Sequence, residues 1–127
     1  RKYSGQKIRF AGTVYDKAVL DNLRYFSKIY LHGHSAGGTN PSLLEAMACG
    51  CRIAAHDNVF NREVVENQAD YFSNSKDVSA IINQAVHDVN IERRKQTNLE
   101  KIRSVYNWDK VINDYEGLMK KLLGKHH

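Results

Sequence analysis

Ile29-Tyr30-Leu31-His32-Gly33-His34-Ser35-Ala36-Gly37-Gly38-Thr39-Asn40-Pro41-Ser42-Leu43-Leu44-Glu45-Ala46-Met47-Ala48-Cys49-Gly50-Cys51-Arg52-Ile53-Ala54-Ala55-His56 reads as strand, loop, helix and strand in direct succession. Ile29 to His32 is a short run of strand type. A stretch of small residues from His34 to Asn40 follows, and Pro41 stands where a first helical position falls, with Asn40 or Thr39 as its cap. The helix from Ser42 to Cys49 stops at Gly50, which suits the left-handed residue that commonly closes a helix. Arg52 to His56 supplies the next strand.

The same alternation extends both ways. Upstream, Ile8-Arg9-Phe10-Ala11-Gly12 is a strand-like run, and Asp16 caps a helix with Val19, Leu20, Leu23 and Phe26 at helical spacing. Downstream, Asn61 to Glu66 forms a short helix and Tyr71-Phe72 a brief fourth strand. Ser75 then caps a helix whose apolar stripe is Val78, Ile81, Ile82, Ala85, Val86 and Val89. A more polar helix runs from Ile91 to about Tyr106. A break at Asn107 precedes a last helix carrying Val111, Ile112, Tyr115, Leu118, Met119, Leu122 and Leu123. This order predicts an α/β fold, a parallel sheet flanked by helices with a helical segment over 91–127. Right-handed crossovers would bring Thr13-Val14-Tyr15, the loop at 33–40 and His56-Asp57-Asn58 to one rim of the sheet.

With 127 residues the chain has room for one domain, and 42% hydrophobic against 26% charged residues is a globular composition. No apolar run is long enough to span a bilayer. Arg1-Lys2-Tyr3-Ser4-Gly5 carries neither an initiator Met nor an apolar leader, and it reads like a cut inside a longer protein. The net charge of +5 gathers late: residues 91–127 hold nine Lys/Arg against five Asp/Glu, and residues 1–90 ten against nine. The tail alternates its signs along amphipathic helices, the pattern of a solvated face, so no nucleic-acid partner is expected. Cys49 and Cys51 are too close in sequence for ordinary disulfide geometry and are expected as reduced, buried small hydrophobes.

The chemistry lies between Gly33 and Gly50. A glycine-rich turn running into a helix start offers free N–H groups and a partial positive charge, which together favour an anion, most often phosphate. Pro41 has no N–H, so the donors would be Gly38, Thr39, Asn40, Ser42 and Leu43. Glu45 lies near the same rim, and a carboxylate beside a phosphate needs something else to face. The hydroxyl pair of a ribose fits. The plainer alternative is a structural turn with Glu45 near the positive end of its helix. The loop is neither a P-loop nor a dinucleotide fingerprint, since no Gly-Lys-Ser/Thr follows it and G-x-G-x-x-G is absent.

The run from His34 to Gly50 resembles the signature of group-1 glycosyltransferases, family four of the GT-B fold. The nearest flavour is bacterial polysaccharide transferases of rhamnosyltransferase type, with Gly37-Gly38-Thr39-Asn40-Pro41-Ser42 in place of the commoner E-G-F-G run. The resemblance spans roughly residues 6–123. It implies that the chain is a partial domain, the later part of a Rossmann-like, nucleotide-sugar-binding C-terminal domain over 1–127. It further implies transfer of a hexose or deoxyhexose from a nucleoside-diphosphate sugar to a glycan or lipid-linked glycan acceptor in surface polysaccharide synthesis. No metal or other cofactor would be required. The implied location is cytoplasmic, with room for peripheral association at the inner face of the membrane.

Residue by residue, the resemblance places Glu45 on the donor ribose. Gly38, Thr39, Asn40, Ser42 and Leu43 fall on donor sugar and phosphate, and Thr13 and Val14 on the base. Gly37 occupies the position of the family's first motif glutamate, which normally lies by the reacting sugar, so no catalytic residue is assigned. The Arg/Lys pair that meets the donor phosphates, and the acceptor-binding N-terminal domain, have no counterpart here, so the chain alone is expected to be inactive. His34 is a candidate rim contact. His32 and His34 have the spacing of a metal pair but lack a fitting third ligand. Ser35, His56 and Asp57 give no sequence evidence of a triad, and Tyr106, Trp108 and Tyr115 read as packing residues. The rival class is a non-catalytic nucleotide- or phosphate-binding α/β module.

Overall fold

A computed structural model describes residues 7–84 and 88–124. In chain order the elements are α1 (Lys17–Tyr25), β1 (Tyr30–His32), α2 (Pro41–Ala48), β2 (Ile53–His56), α3 (Val59–Val65), a 3-10 turn (Glu66–Gln68), β3 (Asp70–Phe72), α4 (Ser75–Gln84), α5 (Ile91–Ser104) and α6 (Trp108–Leu123). The three strands form one parallel sheet in the order β1-β2-β3, with Leu31 opposite Ala54 and Ala55 opposite Tyr71. The expected α/β architecture is present as a small parallel sheet flanked by helices.

Side-chain chemistry explains where the helices begin. The Asp16 carboxylate accepts from the amides of Ala18 and Val19, and Asn40 and Asn58 cap α2 and α3 in the same way. Asn107 accepts from Lys110 at the start of α6. Gly50 closes α2 at φ +65°, a conformation that costs glycine nothing. The core forms where α2, α3 and α5 cover the sheet. Leu43, Ala46 and Met47 from α2 meet Ile53 and Ala55 of β2 and Val64 and Val65 of α3, with Ile102 and Tyr106 packed alongside. β2 is the central strand, and Ile53, Ala54 and Ala55 are all buried, as expected with neighbours on both edges.

Four expectations are corrected. Ile8 to Gly12 is not a strand: Ile8 and Phe10 are exposed, and an extended run without a hydrogen-bonding neighbour forms no ladder. The brief run at Tyr71-Phe72, by contrast, pairs with β2 and becomes the third strand. On α4 the cap is Asn74, which accepts from Lys76 and Asp77, while Ser75 is already helical. Val89 lies in a turn and is exposed instead of completing the α4 stripe; Ala85 and Val86 lie outside the described residues. Finally, the apolar residues Val19 and Leu23 of α1 and Phe26 just after it, together with Trp108 and Tyr115 of α6, are exposed. α1 turns Arg24 inward instead. Tyr106 does pack against the core.

Among the described residues no helix is long and apolar enough to cross a membrane.

Candidate functional site at the start of α2

Two of the three predicted rim segments are tied together. The side-chain amides of Asn58 and Asn61 both donate to the His34 carbonyl, at 3.0 and 3.1 Å, and Asn61 also donates to the His56 carbonyl at 2.8 Å. Asn61 is buried, so this clamp fixes the exit of β1 against the exit of β2. The His34 ring stacks on His32, with centroids 4.8 Å apart. Burial, with the neighbouring His34 adding to it, lowers the pKa of His32, and its Nε2 is buried without a partner. His32 is therefore a neutral packing residue that supports His34 from below.

The loop beyond His34 is exposed from Ser35 to Thr39. Gly37 has φ +102°, in the region that L side chains rarely adopt, although nothing would touch an added Cβ. Backbone conformation, not lack of space, thus favours glycine at this position. At the helix start, Asn40 Oδ1 accepts from the Ser42 amide at 3.0 Å and from its hydroxyl at 2.7 Å, while the Asn40 carbonyl takes the Leu43 amide at 3.0 Å. Two of the five expected donors, Ser42 and Leu43, are already used by the cap. The amides of Gly38, Thr39 and Asn40 donate to no partner among the described residues.

Glu45 has a partner that sequence reasoning missed. Arg24, only 8% exposed, reaches from α1 and places Nη2 2.6 Å from Glu45 Oε2. Burial works against the Arg24 charge, but the hydrogen bond and charge of Glu45, with smaller contributions from Tyr30 and Asp21, together outweigh it, so its pKa is raised. Glu45 keeps 44% of its side chain exposed. The guanidinium engages one oxygen and leaves the carboxylate facing solvent. The available signal was an arginine at helical spacing from Leu20 on the inner face of a helix, where an unpaired charge would be costly.

Thr13 and Val14 precede α1. Cys49 Sγ lies 3.5 Å from Asp21 Oδ1, and Cys51 Sγ lies 3.2 Å from the Arg24 carbonyl. α1 thus lies beside α2, with Thr13 and Val14 in the segment ahead of it. No hydrogen bond joins either residue to the glycine loop among the described residues. Both cysteines are free. Burial pushes the Cys51 thiol up to about 11, and burial with the Asp21 carboxylate raises Cys49.

Other groupings dissolve on inspection. Asp57 is held by Arg62 at 2.5 and 2.9 Å, so it does not orient His56 and no Ser35-His56-Asp57 relay exists. Among the described residues no three His, Cys, Asp or Glu side chains are grouped to hold a metal. Several tail cations are paired with carboxylates: Lys95 with Glu92, Lys101 with Glu66, Lys110 with Asp114 and Lys120 with Glu116.

Comparison with known proteins found no matching family model, no matching curated protein and no matching solved structure.

Proposed function

We propose that the chain is the donor-binding part of a nucleotide-sugar-dependent glycosyltransferase of GT-B type. The observation that carries this reading is the pairing of three uncommitted amides, Gly38, Thr39 and Asn40, with a carboxylate, Glu45, in the second turn of the helix that follows them. The amides and the helix start would take the diphosphate, stabilising charge as it develops on the leaving group. The Glu45 carboxylate, oriented by Arg24 at 2.6 Å, would accept from the ribose hydroxyls and set the register of the donor. Thr13 and Val14 would line the base, and His34, stacked on His32, would form the wall of the sugar site.

The reaction in this reading moves a hexose or deoxyhexose from a nucleoside diphosphate to a glycan or lipid-linked glycan acceptor, for a bacterial surface polysaccharide. Acceptor contacts and catalytic groups would come from a preceding domain. The site would work in the cytoplasm, and the complete enzyme could sit against the inner face of the membrane. In such an enzyme Glu45→Ala raises the donor KM about tenfold to a hundredfold, the equivalent of one or two charge-assisted hydrogen bonds, with a smaller effect on kcat. Donor kinetics unchanged by Glu45→Ala would contradict the ribose role.

One observation favours a second reading. Gly37 at φ +102° replaces the carboxylate that would sit by the reacting sugar. A nucleotide- or phosphate-binding module without turnover needs only the amides and Glu45. The two readings part on donor hydrolysis or transfer by the complete protein, which the second forbids.

A further inference from the structure

Glu45 does not meet a ligand with both of its oxygens free. Arg24 Nη2 stands 2.6 Å from Oε2, whereas Oε1 has no hydrogen-bond partner among the described residues and is open to solvent. The arginine is held in place. Its side chain is 8% exposed, Nη1 donates to Asp21 Oδ1 at 3.3 Å, and its carbonyl accepts the Ser27 hydroxyl at 2.7 Å and the Cys51 thiol at 3.2 Å. Arg24 Nε is buried without a partner. Compensation of the charge therefore falls to the carboxylates of Asp21 and Glu45, and releasing Glu45 would strand a buried cation.

What remains is a one-sided acceptor. A carboxylate that grips a vicinal diol gives one oxygen to each hydroxyl. With Oε2 turned to Arg24, Oε1 serves the ligand, and a single hydroxyl satisfies it. The second hydroxyl adds little, because strong discrimination by a hydroxyl arises where its absence leaves a buried polar group unpaired. Here nothing is stranded by its absence: Oε1 has solvent, and Arg24 balances the charge of Glu45.

Resting on the donor reading above, we infer that Arg24 is a positioning residue that sets the pentose specificity of the site: it confines Glu45 to one hydroxyl, so ribose and 2′-deoxyribose nucleoside diphosphates are both accepted. The hydroxyl read is the 3′, which the two sugars share.

Uridine diphosphate and 2′-deoxyuridine diphosphate differ by the one hydroxyl in question. Each is titrated into the 127-residue chain, and its dissociation constant is read from the amide shifts of Gly38, Thr39 and Asn40. The two constants are expected to agree within about threefold, and Glu45→Ala to weaken both by the same factor. Arg24→Met frees Oε2, and a ribose preference of about tenfold is expected to appear. A role of Arg24 in folding alone would weaken both nucleotides without separating them. A parent preference for ribose of about tenfold or more, with both nucleotides moving those amides, overturns the inference and leaves the donor reading standing. So does a Glu45→Ala chain weakened towards uridine diphosphate alone, or a folded Arg24→Met chain that binds the two equally. The parent and Glu45→Ala comparisons decide the matter even where Arg24→Met does not fold. If neither nucleotide moves Gly38 to Asn40, the donor reading falls and the inference with it.

Discussion

At the scale of single residues, the site rests on partners that differ in how visible they are in the sequence. Asn40 and Asp16 were legible as caps because their side chains act on amides two or three residues away. Arg24 was not, because its partner Glu45 stands on another helix and only the packing of α1 on α2 joins them. Likewise Asn61, whose amide clamps two loops, reads in sequence as an ordinary polar residue. His32 gives a test at this scale. Its pKa in the folded chain is lowered by burial, so the unfolded chain takes up a proton first as pH falls below about 6.5. The contribution of His32 to stability is therefore complete above that pH and is lost as pH drops towards its folded value. Urea unfolding between pH 5 and 7.5 should show this slope, and His32→Gln should flatten it.

At the scale of elements, the strand–loop–helix–strand unit from Tyr30 to His56 follows its sequence closely, since both its turns are set by local chemistry. Pro41 at the first helical position and Gly50 at φ +65° frame α2. Ile8 to Gly12 shows the opposite case, for strand character in the residues is expressed only when a neighbouring strand accepts the ladder. The apolar stripes of α1 and α6 were legible as stripes, but what covers a stripe is a property of the surroundings, not of the helix. The cap of α2 is testable by itself. Asn40→Ala removes the acceptor for the Ser42 amide and hydroxyl and should lower stability by about 1 kcal/mol. It should also leave the Ser42 amide without its protein acceptor, so faster exchange of that amide accompanies the loss.

At the scale of the whole molecule, the end of the sheet opposite the rim is held by an ionic group that brings β2, β3 and α5 together. Arg52 donates to Asp70 at 2.8 and 3.0 Å, and Arg94 donates to Asp70 at 3.0 Å and to Asp88 at 2.5 Å. Burial works against the Asp70 carboxylate, but the hydrogen bonds from Arg94 and Arg52 outweigh it and hold its pKa below the usual carboxylate range. That stabilisation is full above about pH 4 and is lost as pH falls through the folded value. Asp70→Asn leaves Arg52, almost wholly buried, short of its main partner, and should cost on the order of 3 kcal/mol at neutral pH while weakening the acid dependence. Chemical denaturation at pH 7 and pH 3.5 separates the two effects. The alternating signs over 91–127 read as a solvated face and did not show that Arg94 would serve the sheet, because its partners lie on β3 and in the turn before α5.

The central claim is that a nucleoside diphosphate seats its phosphates on the amides at the start of α2. Titration of the isotope-labelled chain with uridine and thymidine diphosphates, followed amide by amide in heteronuclear NMR spectra, tests it most directly. The account predicts that the Gly38, Thr39 and Asn40 amides move first and furthest, with Glu45 following, and that Glu45→Ala weakens the response without moving it elsewhere. Shifts confined to the lysines and arginines of α5 and α6, or no shift at Gly38 to Asn40, would contradict it.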